Sequence, residues 1–241
     1  MVTGGSSGIG AACVRALAQA GAAVVIGYHQ GQARAQALCD ELPAPAQGRH
    51  HILRLPLEDQ AAQREAVAWL TQAVGRVDVL VNSAGYTQRI AHANLDALDP
   101  ALFNAILTAN AGGPYAIIRS LLPLLRASGD AVVVNVSSVS AFTGLGSNMA
   151  YCAAKAALDT LTVSLARALG PGIRCLSVSP AAVDTDFVPG RDRTELVAKA
   201  AKTPLGRIVT PQDVADAVLA CATHLRTATG TRIVIDGGHS L

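Results

Sequence analysis

A chain of 241 residues fits one sizeable domain, or two small ones on length alone. Hydrophobic residues make up 51% and charged residues 15%, a balance that argues against a solvated helical bundle and for a sheet buried on both faces. The net charge of +2 comes from scattered residues without a long basic run, which leaves no electrostatic footprint for nucleic acid.

Short apolar runs alternate with alanine-rich stretches from end to end. Residues 24–26, 52–55, 77–81, 131–136, 173–178 and 232–235 are mostly β-branched and bounded by Gly, Asp or Pro, as buried parallel strands are. Between them, residues 9–19, 33–42, 59–74, 100–126, 149–169 and 211–223 carry helical spacing. The alternation predicts an α/β fold, a doubly wound parallel sheet flanked by helices. Without a linker-like shift or internal repeat, it predicts one domain over residues 1–241. Aromatic residues are only 3%, so the core falls to Ala, Val, Leu and Ile. Met1 and Val2 leave little room for a strand ahead of the first glycine loop; either that strand is very short or residues preceding Met1 complete it.

The loop Thr3-Gly4-Gly5-Ser6-Ser7-Gly8-Ile9-Gly10 joins that strand to the first helix. Its glycines let the backbone approach a pyrophosphate, and the helix N-terminus supplies free N–H groups and partial positive charge. The spacing departs from G-x-G-x-x-G, and a strand–helix turn that binds nothing is the alternative. The second strand ends Gly27-Tyr28-His29-Gln30, where an acidic residue would hydrogen-bond the ribose 2′-OH of NAD. None is present, which favours NADP(H) over NAD(H). Ser6, Ser7, His29 and Arg34 are candidate donors to a 2′-phosphate, unless Arg34 is simply a solvated helix charge. Asn82-Ser83-Ala84-Gly85 ends the fourth strand, at the carboxyl edge where such sheets bind ligands, though alone it also reads as a plain turn.

Ser138 follows the fifth strand, and Tyr151 and Lys155, four apart, share one face of the next helix. Hydride transfer to a carbonyl builds negative charge on oxygen, which needs a proton donor and a preorganised hydrogen bond. Tyr151 is the candidate donor and Ser138 the candidate hydrogen bond. The Lys155 ammonium is expected to lower the phenol from its ordinary pKa of about 10 and to bind the nicotinamide ribose. An isolated Tyr-x-x-x-Lys is also a common surface pair. No G-x-S-x-G elbow is present, which disfavours a serine hydrolase. The five cysteines are widely spaced with no C-x-x-C and read as free thiols of a reducing compartment. The six histidines lack metal-ligand spacing, so no metal is expected. With no signal peptide and no apolar stretch long enough to span a membrane, the expected location is the cytoplasm, away from any membrane.

On Thr3-Gly4-x-x-x-Gly8-x-Gly10, Asn82-Ser83-Ala84-Gly85, Asn110, Ser138, Tyr151, Lys155, Ser179-Pro180 and Asp236-Gly237-Gly238, the chain resembles the short-chain dehydrogenase/reductase family across nearly its whole length. The resemblance implies a Rossmann-type domain and an NAD(P)-dependent oxidoreductase acting on a ketone or secondary alcohol. It implies catalytic roles for Ser138, Tyr151 and Lys155, and an Asn110 that bends its helix to hold a water for a proton relay through Lys155. Around the cofactor it places Gly4, Ser6, Ser7, Gly8, Ile9, Gly10, Tyr28, His29, Leu57, Asn82, Ala84, Gly85, Tyr151, Lys155, Pro180, Val183 and Thr185. Pro180 and Thr185 match the segment that contacts the nicotinamide carboxamide. Three departures stand out: Ala181 in place of a glycine, Pro56 where an aspartate often contacts adenine, and the curtailed first strand. The adenine contact is then expected from backbone near Leu57.

Within the family the chain is most similar to reductases of 3-oxoacyl thioesters. An NAD(H)-dependent dehydrogenase of another small alcohol and a non-catalytic dinucleotide-binding sensor are the alternatives. A substrate lid is expected at about 186–207, where Arg191, Arg193 and Lys199 either attract an anionic substrate such as an acyl thioester carrier or form a solvated helix face. Phe142, Leu145 and Met149 near the cleft suit a carbon chain. Family members are commonly tetramers built through the long helices, which implies a homotetramer or dimer with His239-Ser240-Leu241 at an interface.

Overall fold

Seven strands form one parallel sheet in the order β3-β2-β1-β4-β5-β6-β7. The computed structural model describes residues 1–241, apart from the side chain of Gln60. In chain order the elements are β1 (Val2–Thr3), α1 (Gly8–Gln19), β2 (Val25–Tyr28), α2 (Gln32–Glu41), β3 (His51–Arg54), α3 (Gln60–Ala73) and β4 (Val79–Asn82). They continue with α4 (Pro100–Leu107), a π turn (Thr108–Gly112), α5 (Gly113–Ser128), β5 (Ala131–Val136), α6 (Ser140–Thr143), α7 (Met149–Leu169), β6 (Ile173–Pro180), α8 (Arg193–Ala200), α9 (Pro211–Thr223) and β7 (Thr231–Ile235).

Strand periodicity splits the core into two layers. Val132, Val134 and Val136 of β5 pack with α1, α2 and α9, whereas Ala131 and Val133 pack with α3 and α5 on the other face. Each fully buried Val, Leu or Ile contributes about 1.5–3 kcal/mol, so this double burial dominates the fold's stability. Sidedness explains the composition: a sheet covered on both faces has no polar side to carry charge.

The first strand is two residues long and still central. Backbone of Met1 extends its pairing, accepting from Val81 N at 2.9 Å. The strand order reverses between β1 and β4, and the carboxyl edge there is the crevice where doubly wound sheets bind ligands.

The continuous helix expected over 100–126 is instead two helices separated by the π turn. Asn110, fully buried, donates from Nδ2 to Ile106 O at 2.9 Å and to Tyr86 O at 2.8 Å, which takes a side chain into the helical ladder. Pro114, just beyond, has no N–H with which to restore it.

Candidate active site

The crevice opens into a cleft of about 1350 Å³ along the carboxyl ends of the strands. Its floor is the glycine loop. A Cβ on Gly10 would lie 2.2 Å from Gly4 O, so only glycine lets α1 start this close to the strand. Thr3 Oγ1 accepts from the N–H groups of Ser83 and Ala84, both at 3.1 Å, and so clamps the loop after β4 against the loop after β1. The first turn of α1 holds no acidic residue, leaving its N-terminal partial charge free to meet a phosphate.

At the far end of the cleft, Arg34 and Ser6 converge. A Cβ on Gly31 would lie 2.7 Å from Arg34 Nη2 and 3.0 Å from Ser6 Oγ, which brings a guanidinium and a hydroxyl to one spot past the end of β2. His29, Gln30 and Arg34 line the same cleft, and the end of β2 carries no carboxylate.

The chemical groups sit on β5 and α7. Ser137 N donates to Val178 O at 2.8 Å and Val139 N to Pro180 O at 3.0 Å, so pairing with β6 fixes the backbone on either side of Ser138. Ser138 Oγ accepts from Ser140 N at 3.1 Å. Tyr151 lies in the first turn of α7, and its N–H is capped by Asn148 Oδ1 at 2.8 Å. Asn148 is itself fully buried, and its Nδ2 donates to Thr87 Oγ1 at 3.1 Å and Gln88 O at 2.8 Å. The cap therefore ties the start of the tyrosine helix to the segment after β4. Lys155 is buried, lies 5.5 Å from the Tyr151 ring centroid, and donates from Nζ to Val136 O at 2.8 Å. Burial lowers the Lys155 ammonium to about 8, against an opposing pull from Asp159 one turn on.

The whole chain matches a known pattern. Residues 4–240 match the family model described as Enoyl-(Acyl carrier protein) reductase. The chain is 34% identical to the L-rhamnose 1-dehydrogenase (NAD(P)(+)) of Azotobacter vinelandii, covering 99% of this chain and 94% of that protein. It is 30% identical to the 3-oxoacyl-(acyl-carrier-protein) reductase of Aquifex aeolicus, covering 99% and 95% respectively. The solved structure of a short-chain dehydrogenase/reductase from Brucella melitensis superposes with a TM-score of 0.90 at 26% identity, covering 100% of this chain and 95% of that one. The chain belongs to the short-chain dehydrogenase/reductase family. It is an NAD(P)-dependent oxidoreductase of alcohols or ketones.

In this short-chain dehydrogenase/reductase most of the residues read from the sequence line the one cleft: Gly4, Ser6, Ser7, Gly8, Ile9, Gly10, His29, Leu57, Ala84, Gly85, Ser138, Tyr151, Lys155, Pro180, Val183 and Thr185. Three do not. Tyr28 is buried in the core beneath the sheet edge, because strand alternation turns it away from the cleft mouth. Asn82 is buried and donates from Nδ2 to Asn135 Oδ1 at 2.9 Å, so it braces β4 against β5. Asn110 is sealed in the π turn; a Cβ on Gly85 would lie 2.4 Å from its Oδ1, and that buried oxygen has no hydrogen-bond partner among the described residues. The Leu57 carbonyl already accepts from the Gln63 side chain.

The lysine-lowered phenol is also corrected. Burial pushes Tyr151 above its ordinary pKa, outweighing the hydrogen bond of Ser138 and the charge of Arg191, both of which lower it. Tyr151 is therefore held protonated. Of the apolar residues expected at the substrate end, Leu145 lines the cleft, while Phe142 lies under the Arg232 guanidinium at 4.5 Å. Phe187, not singled out from sequence, packs on the Tyr151 ring with centroids 5.8 Å apart. Asn148 was also missed; an Asn three positions before Tyr151, ahead of a helical run, is the cap signal that points to it. Among the described residues no three His, Cys, Asp or Glu side chains cluster to hold a metal, and no helix is long and apolar enough to cross a membrane.

Proposed function

We propose that this enzyme uses NADP(H) to reduce a ketone, with 3-oxoacyl thioesters as the leading substrate class. The observation that carries the reading is the convergence of Ser138, a protonated Tyr151 and buried Lys155 in the same cleft as the Gly4–Gly10 cradle. When bound, the nicotinamide supplies the hydride. Ser138 orients the carbonyl by hydrogen bonding its oxygen, and Tyr151 delivers the proton as charge builds there. Lys155, cationic below about pH 8, holds the nicotinamide ribose. Val183 and Thr185 face the carboxamide end, and residues 186–207 close over the substrate. Asn110 shapes the relay from behind, through Gly85 and the bend in its helix.

Preference for NADP(H) is supported by Ser6 and Arg34 meeting at Gly31 without a carboxylate at the end of β2. The thioester class is supported by the Aquifex relative and by apolar groups at the rim, Leu145 and Phe187. Exposed Tyr115 on α5, Val163 on α7 and Leu241 at the chain end suit a homotetramer built through those helices. Five free cysteines suit a reducing cytoplasm.

The test is oxidation of NADPH beside NADH by the purified protein with a short 3-oxoacyl thioester. The expected result is turnover with a preference for NADPH that Arg34→Ala reduces roughly tenfold or more, the scale of a lost charge-assisted contact. Turnover with NADH alone overturns the cofactor preference. Turnover confined to sugars or simple alcohols overturns the thioester class.

A further inference from the structure

The lid contains an arginine without a direct ion pair of its own, and it stands in the catalytic cleft. Arg191 lines the cleft with Tyr151 and is half-buried. Its Nη2 donates to the neutral carbonyls of Val183 and Thr185. Its Nε is buried and has no acceptor among the described residues.

The neighbouring acids are already engaged. Asp184 pairs with Arg193 at 3.0 Å, and Glu195 accepts from Arg89 through both oxygens at 3.0 Å. Three guanidiniums (Arg89, Arg191, Arg193) thus meet two carboxylates (Asp184, Glu195), and Arg191 is the one of the three without an ion pair within 4.0 Å among the described residues. Asp186 and Lys199 on the same rim are both exposed to solvent, where a charge is screened. Arg193 is 73% exposed at its side chain, which makes it a poor anchor. Arg191 shares the cleft lining with Tyr151, and burial lowers its pKa against the opposing pull of Asp184 and Glu195, so it meets the cleft from a partly desolvated position. A half-buried guanidinium with free N–H groups is a fork shaped for a carboxylate or phosphate.

We infer that the substrate of this cleft bears an anionic group that Arg191 binds while the carbonyl sits at Ser138 and Tyr151. The inference rests on the ketone-reductase reading above and narrows its substrate class. The anion has two chemical sources: the carboxylate of a small oxo acid, or the phosphate of a pantetheine-borne thioester.

Two matched pairs separate them: 3-oxobutanoate against its methyl ester, and 3-oxobutanoyl-4′-phosphopantetheine against 3-oxobutanoyl-N-acetylcysteamine. Each is measured with the unaltered enzyme, Arg191→Gln, Arg191→Lys and Arg193→Gln, alongside the Kd for NADPH of every variant. The charged member of one pair is expected to be favoured in kcat/KM by roughly ten- to a hundred-fold, the scale of a charged hydrogen-bonded pair. That preference should vanish in Arg191→Gln, survive in part in Arg191→Lys and persist in Arg193→Gln. Preference in the first pair assigns a small oxo acid, and in the second a phosphopantetheine carrier. Equal turnover within both pairs, or a preference that persists in Arg191→Gln, overturns the inference. So does turnover of none of the four by an enzyme that binds NADPH, which leaves the dinucleotide site standing. Failure to bind either dinucleotide overturns the proposed function and this inference with it.

Discussion

Replacing Asn148 by alanine should weaken the fold and the chemistry together, because one side chain caps the tyrosine helix and ties it down. Asn148 Oδ1 accepts from Tyr151 N at 2.8 Å, and Nδ2 donates to Thr87 Oγ1 at 3.1 Å and Gln88 O at 2.8 Å. A lost N-cap costs about 1 kcal/mol. Two further buried hydrogen bonds cost about 1 kcal/mol each. The sum, about 3 kcal/mol, is a sizeable part of a typical folding stability of about 5–15 kcal/mol. Because Tyr151 sits in the first turn, fraying of that turn displaces the phenol itself; a 1 Å misplacement costs on the order of a hundredfold in rate. Urea unfolding and steady-state kinetics read the two effects separately. The expected result is a lowered unfolding midpoint, kcat down at least about tenfold, and a Kd for NADPH within about twofold, since the glycine cradle lies on other elements. Asn148→Asp keeps the cap acceptor but sets a buried carboxylate oxygen against the Gln88 carbonyl, so it should rescue neither stability nor kcat. An alanine variant within about 0.5 kcal/mol of the unaltered protein, the usual range for an inert surface change, with kcat within twofold, would refute the reasoning.

Reduction should decline as pH rises through about 8, where the buried Lys155 ammonium loses its proton, and be complete below it. Asp159 raises that value, so Asp159→Asn should move the decline to lower pH; a flat profile from neutral to alkaline pH in both proteins would contradict this. Tyr151, pushed above its ordinary range, should not titrate in the same window. Gly85→Ala would force a Cβ to 2.4 Å from the Oδ1 of the fully buried Asn110, and should cost roughly 1–3 kcal/mol with a matching drop in melting temperature. An unaltered melting curve would show that Asn110 yields.

The fold was largely legible because burial on both faces leaves a continuous apolar signature. Ala131–Val136, Met149–Leu169 and Pro211–Thr223 appear at their expected bounds, and the other ends lie within two residues of expectation. Local pattern did not reveal the break at Thr108–Gly112, because it depends on Asn110 meeting the Tyr86 carbonyl, 24 residues away in sequence. The site was legible where motif and placement coincide, as at Ser138, Tyr151 and Lys155. It was not legible where tertiary environment decides. Burial, not the neighbouring lysine, sets the phenol's proton affinity. Tyr28 and Asn82 follow strand alternation inward, although their sequence positions flank the cleft. Arg191 stands out only once Asp184 and Glu195 are seen to be engaged elsewhere.

The central claim is that Tyr151 is the proton donor of a dinucleotide-dependent carbonyl reduction. The most direct measurement is Tyr151→Phe, which keeps the ring against Phe187 and removes only the hydroxyl. Single-turnover reduction and NADPH binding are followed in the same preparation. The expected result is a loss of roughly a hundred- to ten-thousand-fold in the reduction rate, the span of general acid catalysis, with the Kd for NADPH within about threefold. Undiminished reduction by the phenylalanine variant would contradict the assignment and send the search for the proton donor elsewhere in the cleft.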